Sequence, residues 1–107
     1  MRSREIVKDT KDAQGQDIQT AYLDTRYNLK THDGAIIYLQ TTGARTGPKA
    51  VLESLGDKEV SPTEYRMRLA LKMETGDARY SWLNQSVAIA SSARVGTQVI
   101  YDAYLVV

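Results

Sequence analysis

The stretch that most constrains this chain runs from Tyr65 to Glu74. Tyr65, Met67, Leu69, Leu71 and Met73 alternate with Arg66, Arg68, Ala70, Lys72 and Glu74. Successive side chains of an extended backbone point to opposite faces, so a period of two gathers the apolar set on one face and the polar set on the other. A helix would scatter the same residues around its circumference. The pattern predicts a strand in a sheet with one buried face, and such a strand needs partners.

Partners are present on both sides of it. Tyr22 to Lys30 is rich in β-formers, and Ala35-Ile36-Ile37-Tyr38-Leu39 is apolar without alternation, which reads as a central strand. Between them stands Thr31-His32-Asp33-Gly34, and Asp-Gly between two β-rich runs is a strong hairpin signal. Pro48 fits the first position of a short helix that carries Ala50, Val51, Leu52 and Leu55 and ends at Gly56. Ser61-Pro62 keeps the following segment a loop. A loop at Gly76 to Arg79 returns the chain into a strand at Tyr80 to Ala90, and a turn near Ser92 to Thr97 leads to a last strand, Gln98 to Val106. Treating Gly76 to Arg79 as a four-residue hairpin loop pairs Met73 with Trp82, Leu71 with Asn84, Leu69 with Ser86 and Met67 with Ala88. The expected fold is all-β: an antiparallel β-barrel or strongly curved sheet with one short helix at Pro48 to Leu55. Residues 1–107 make one domain, in which residues 1–20 are a polar extension or strand.

Composition removes whole classes of function. There is no cysteine, so disulfides, thiolate metal sites and cysteine nucleophiles are excluded. His32 is the single histidine, and it sits in a hairpin turn, so neither a histidine-dependent triad nor a multi-histidine metal site can form within one chain. A net charge of +1 gives no electrostatic pull toward nucleic acid or acidic lipid. No apolar run approaches the roughly 20 residues of a membrane span. The charged, unpatterned N-terminal stretch has no signal-peptide core, and a cytoplasmic location is the expectation. No cofactor or metal is expected.

The remaining polar residues give the site candidates. Asp24 and Arg26 lie two apart on a strand and share a face, where Arg26 offers a planar donor fork. Arg66, Arg68 and Lys72 form a basic stripe, and Arg45 lies in a Gly/Pro-rich loop. Glu74, beside a glycine loop, is the candidate acid or base, with Asp24 as a second carboxylate. Tyr80, Trp82 and Asn84 share a face under strict alternation and supply two aromatic walls and an amide. Each has a plain structural alternative: a surface ion pair, a solvated strand face, or a core aromatic cluster.

Four blocks carry a family resemblance. They are Leu23-Asp24-Thr25-Arg26-Tyr27, Thr31 to Tyr38, Gly43-Ala44-Arg45-Thr46-Gly47-Pro48, and Glu74-Thr75-Gly76-Asp77-Ala78-Arg79-Tyr80-Ser81-Trp82-Leu83-Asn84. In this order they resemble the signature blocks of the DUF3237 family of bacteria and fungi. The resemblance implies a small calycin-like antiparallel β-barrel with no established reaction. It also implies further N-terminal strands, in place of which this chain has some twenty polar residues before Tyr22. Met67, Leu69, Leu71 and Met73 make the strand before Glu74 more aliphatic than the family pattern.

Three functions follow as expectations. The first is a module that binds a small apolar or aromatic metabolite, through Arg26, Arg45, Arg68, Tyr80, Trp82 and Asn84 at the Glu74 end of the barrel. The second is a cofactor-free isomerase, cyclase or lyase that moves a proton with Glu74 and Asp24. The third is a structural subunit. An open sheet edge, and Leu83, Val87 and Ile89 on the uncovered face of their strand, predict a homo-oligomer, most simply a dimer.

Overall fold

The strands follow one another across a single antiparallel sheet in chain order. A computed structural model describes residues 2–95 and 97–107, apart from the Arg2 side chain. Its elements are β1 (Arg2–Lys11), β2 (Asp17–Lys30), β3 (Ile36–Pro48), α1 (Lys49–Glu53), β4 (Arg66–Glu74), a 3-10 helix (Ala78–Gln85), β5 (Val87–Val95) and β6 (Gln98–Val106). The order β1-β2-β3-β4-β5-β6 is a meander, curved and not closed into a barrel. Its dimensions of 51 × 27 × 22 Å and radius of gyration of 15.7 Å exceed the roughly 13 Å of a compact domain of about 100 residues.

The alternation at Tyr65 to Glu74 produces the predicted strand. Met67, Leu69 and Leu71 are buried on the concave face, and Arg66, Arg68 and Ala70 are exposed on the convex one. The Asp-Gly hairpin also forms. Gly34 takes φ +92°, its N–H donates to the Thr31 carbonyl at 3.0 Å, and the Thr31 hydroxyl bonds the Asp33 carboxylate. A left-handed φ of that kind is the reason for glycine there.

Two parts of the chain differ from expectation. Gly43 to Pro48, read as a loop, is the second half of β3, paired with β2 from Leu23↔Gly43 to Ile18↔Pro48 and with β4 from Gly43↔Leu69 to Thr46↔Arg66. The glycine marks close approach of two backbones. A Cβ on Gly43 would stand 2.1 Å from the Arg68 carbonyl oxygen. Tyr80 to Gln85 is not strand but 3-10 helix, and β5 begins only at Val87. The register is therefore Met67↔Ser92, Leu69↔Ala90 and Leu71↔Ala88, and the pairings of Met73 with Trp82 and Leu71 with Asn84 do not occur. A local cap and a tertiary hydrogen bond together override the local alternation. Asp77 caps the segment by accepting the Arg79 N–H at 2.9 Å, and the Tyr80 hydroxyl donates to Asp33 at 2.6 Å.

The core lies on the concave face and at its two ends. Leu39, Met67, Leu69, Leu71, Ala88 and Ala90 pack with Leu52 of α1 and with Leu55, Val60 and Tyr65 from the segment after it. Leu83 of the 3-10 helix packs on Ala35 and Ile37 near the opposite end of β3. Large residues of β4 face alanines of β5, which lets the sheet curl tightly. Both ends are covered. The middle of the concave face stays open between the two edge strands.

A candidate ligand groove on the concave face

Side-chain alternation sends the odd-numbered residues of β2, β3, β4 and β6 to the concave side. Leu23, Thr25 and Tyr27, then Leu39, Thr41 and Arg45, then Met67 and Leu69, and finally Val99 and Tyr101, line a groove of about 730 Å³. Ser3, Arg4 and Glu5 of β1 form one rim, and Thr97 of the β5–β6 turn stands at the other. Volumes of ~300–1,000 Å³ with apolar walls and a few placed polar groups are typical of small-molecule sites.

The polar groups are specific. The Tyr27 hydroxyl donates to the Tyr101 hydroxyl at 2.8 Å, and this bond spans the mouth between strands that are not neighbours in the sheet. Burial, then the Tyr101 hydroxyl, raises the Tyr27 phenol above its ordinary range, so it is a neutral donor at physiological pH. The Arg45 side chain is only 13% exposed, and one of its terminal nitrogens donates to Glu5 at 3.0 Å. Its Nε–H is buried without a hydrogen bond, as is the Ser92 hydroxyl, which belongs to the residue paired with both Met67 and Tyr101. Among the described residues these two are the buried side-chain polar atoms left unfilled, and both belong to the concave face. The charged groups in the groove are the Arg45–Glu5 pair and Arg94, while Arg4, paired with Asp24 in the ladder, reaches it only at the β1 rim.

Of the predicted site residues, Arg45 is the one in this groove. Glu74 ends β4, exposed, with Lys72 at 3.7 Å. It shares a shallow, open depression with Ile36, Tyr38, Thr75, Gly76 and Asn84. The Asn84 amide is occupied by the Thr75 backbone, accepting its N–H at 2.8 Å and donating to its carbonyl at 3.0 Å. Tyr80 is bound to Asp33, and Trp82 is half-exposed on the 3-10 helix. Neither of these two lines the depression. Asp24 and Arg26 sit 3.7 Å apart on the convex face, beside Ser3 and Arg4. Arg68, also convex and exposed, donates to the Met67 carbonyl at 3.0 Å. The structure thus divides the candidates among four places. Tyr27, Thr41 and Tyr101 were not singled out as site residues from sequence; the face they share with Leu69 emerges only when the strands are put in register.

Among the described residues no helix is long and apolar enough to cross a membrane, and no three His, Cys, Asp or Glu side chains gather as a metal site requires.

Comparison with known proteins agrees with this architecture. A UPF0311 protein of Bradyrhizobium diazoefficiens is 36% identical over 85 residues, which are 78% of this chain and 56% of that protein. A UPF0311 protein of Clostridium acetobutylicum is 30% identical over 83 residues, 77% of this chain and 52% of that one. The chain spans about half the length of these curated relatives. Among solved structures, a beta-barrel like protein from Acinetobacter baumannii is 44% identical with a TM-score of 0.65, matching 95% of this chain and 63% of its own. A conserved protein of unknown function from Rhodopseudomonas palustris has a TM-score of 0.76 at 22% identity, over 99% of this chain and 97% of that one, and supports the fold alone. The family described as "Protein of unknown function (DUF3237)" matches residues 3–106, and the chain belongs to that family.

Proposed function

We propose that this protein binds a small, mainly apolar or aromatic molecule carrying one anionic group, and that it does so in the concave groove. The observation that carries the reading is the pair of unfilled buried polar atoms, Arg45 Nε and Ser92 Oγ, on the face that also holds the groove. Native interiors leave few such atoms, and each calls for a reason. A guanidinium with donors to spare, at the wall of an apolar cleft, suits a carboxylate held by a planar fork. Leu23, Leu39, Met67 and Leu69 would take the apolar body, and the Tyr27–Tyr101 hydroxyl pair would meet a polar substituent at the mouth.

The Glu74 depression supports the reading less well. It is shallow, its amide is already bonded, and its carboxylate is exposed.

Calorimetric titration with naphthalene-2-carboxylate tests the proposal, with 2-naphthalenemethanol as the uncharged control. The expected result is saturable binding of the acid that weakens roughly 10- to 100-fold in Arg45→Met, as the loss of a charge-assisted hydrogen bond implies. Equal binding of acid and alcohol, or an Arg45→Met variant that binds like the parent, would refute the assignment of the anionic group.

A further inference from the structure

We propose that two copies of this chain pair through the convex face of β5 and β6, about a two-fold axis running along β5. This face lies opposite the groove, so the inference stands apart from ligand binding.

On that face Val87, Ile89, Val95, Ile100, Tyr104 and Val106 are each 40–64% exposed. The register joins them into one patch, with Val87↔Val106, Ile89↔Tyr104 and Ala93↔Ile100. Together they offer on the order of 600 Å² of apolar side chain, the upper end of what monomers leave exposed and most of the ~800 Å² per partner of a stable interface.

The rows that cross the strands identify the occupant. One row reads Arg68 on β4, Ser91 on β5 and Asp102 on β6, so a positive and a negative charge flank a small neutral residue. The next row reads Ala70, Ile89, Tyr104, small on one side and large on the other. Both rows are opposite in character across β5. A two-fold axis along β5 exchanges β4 with β6, so each Asp102 meets the partner's Arg68 and each Tyr104 covers the partner's Ala70. The two copies of Ile89 meet at the centre. A two-fold axis across the strands through that charged row would instead set Arg68 against Arg68 and Asp102 against Asp102, and one through the Ile89 row would set Arg68 against Lys72, like-charge arrangements that interfaces avoid. Asp102 makes no ion pair among the described residues, and the one hydrogen bond of the Arg68 side chain goes to the neighbouring carbonyl of Met67. Both charges are available. Self-complementarity of this kind is what a closed dimer demands of one surface.

Sedimentation velocity at micromolar protein is the test. The parent should sediment as a dimer. Ile89→Lys should sediment as a monomer while keeping its circular dichroism spectrum. Asp102→Arg and Arg68→Asp should each weaken association by at least about tenfold, and the double variant should recover most of it. A monomeric parent would overturn the proposal, as would a dimer that survives Ile89→Lys. A double variant no better than the two singles would overturn the axis, because the charges would not then meet across the interface.

Discussion

Replacing Gly43 with alanine should damage this fold more than any other single-methyl change in the sheet. Gly43 lies between Leu23 on β2 and Leu69 on β4. A methyl there would stand 2.1 Å from the Arg68 carbonyl oxygen and 2.9 Å from the Leu69 Cα. Both are backbone atoms within a ladder, so neither can swing away as a side-chain tip would. Reaching ordinary contact moves β3 and β4 apart by about an ångström, which breaks or stretches two or three ladder hydrogen bonds at roughly 1 kcal/mol each. Lost packing under Leu69 adds to this, for a total of about 2–4 kcal/mol out of the roughly 5–15 kcal/mol that holds a small domain together. For a domain of this size the melting temperature should fall by roughly 10–25 °C. The measurement is thermal unfolding followed by circular dichroism, with Gly76→Ala as the control, since a Cβ at Gly76 meets nothing within 4 Å. If Gly43→Ala melts within a few degrees of the parent and of the control, the close approach of β3 and β4 is not as described.

Other expectations are more local. Tyr27→Phe removes the hydroxyl bond across the groove and should cost about 0.5–1.5 kcal/mol, read from urea unfolding midpoints. Glu74→Gln should change stability by no more than about 0.5 kcal/mol, because its partner Lys72 is an exposed neighbour at 3.7 Å; a larger loss in the same assay would make Glu74 a structural residue and not an exposed strand end. The Arg79 guanidinium holds the Asp77 carboxyl down at about 2, and the hydroxyls of Thr31 and Tyr80 lower Asp33. Carboxyls depressed in the folded state stabilise it above their unfolded value near 4 and lose that contribution as the pH falls toward about 2. Melting temperature should therefore drop through that window, and Asp77→Asn should flatten part of the drop; a profile identical to the parent's would count against the Asp77–Arg79 bond.

The sequence was most legible where local pattern and tertiary need coincide. The alternation at Tyr65 to Glu74 carries its own face assignment, and Asp33-Gly34 carries its own turn geometry, so both appear as expected. The short helix after Pro48 follows from its punctuation and appears as Lys49–Glu53. Legibility failed where a residue's purpose lies on another strand. Gly43 and Gly47 look like loop residues, yet they give room to Arg68 and Tyr65 of the neighbouring segment. Tyr80, Trp82 and Asn84 alternate as a strand would, but Asp33 and Thr75 draw Tyr80 and Asn84 into a 3-10 helix. The groove was hidden for the same reason. Its walls come a few residues at a time from separate strands, and only Arg45 stood out alone.

A nitrogen–proton correlation NMR titration of the labelled protein with naphthalene-2-carboxylate tests the central claim most directly. The amide shifts should cluster at Thr25, Tyr27, Leu39, Thr41, Arg45, Leu69 and Tyr101, on the concave face. Shifts centred on Tyr38, Thr75, Gly76 and Asn84 would move the site to the Glu74 turn, and an unperturbed spectrum at millimolar probe would contradict the groove as a binding site altogether.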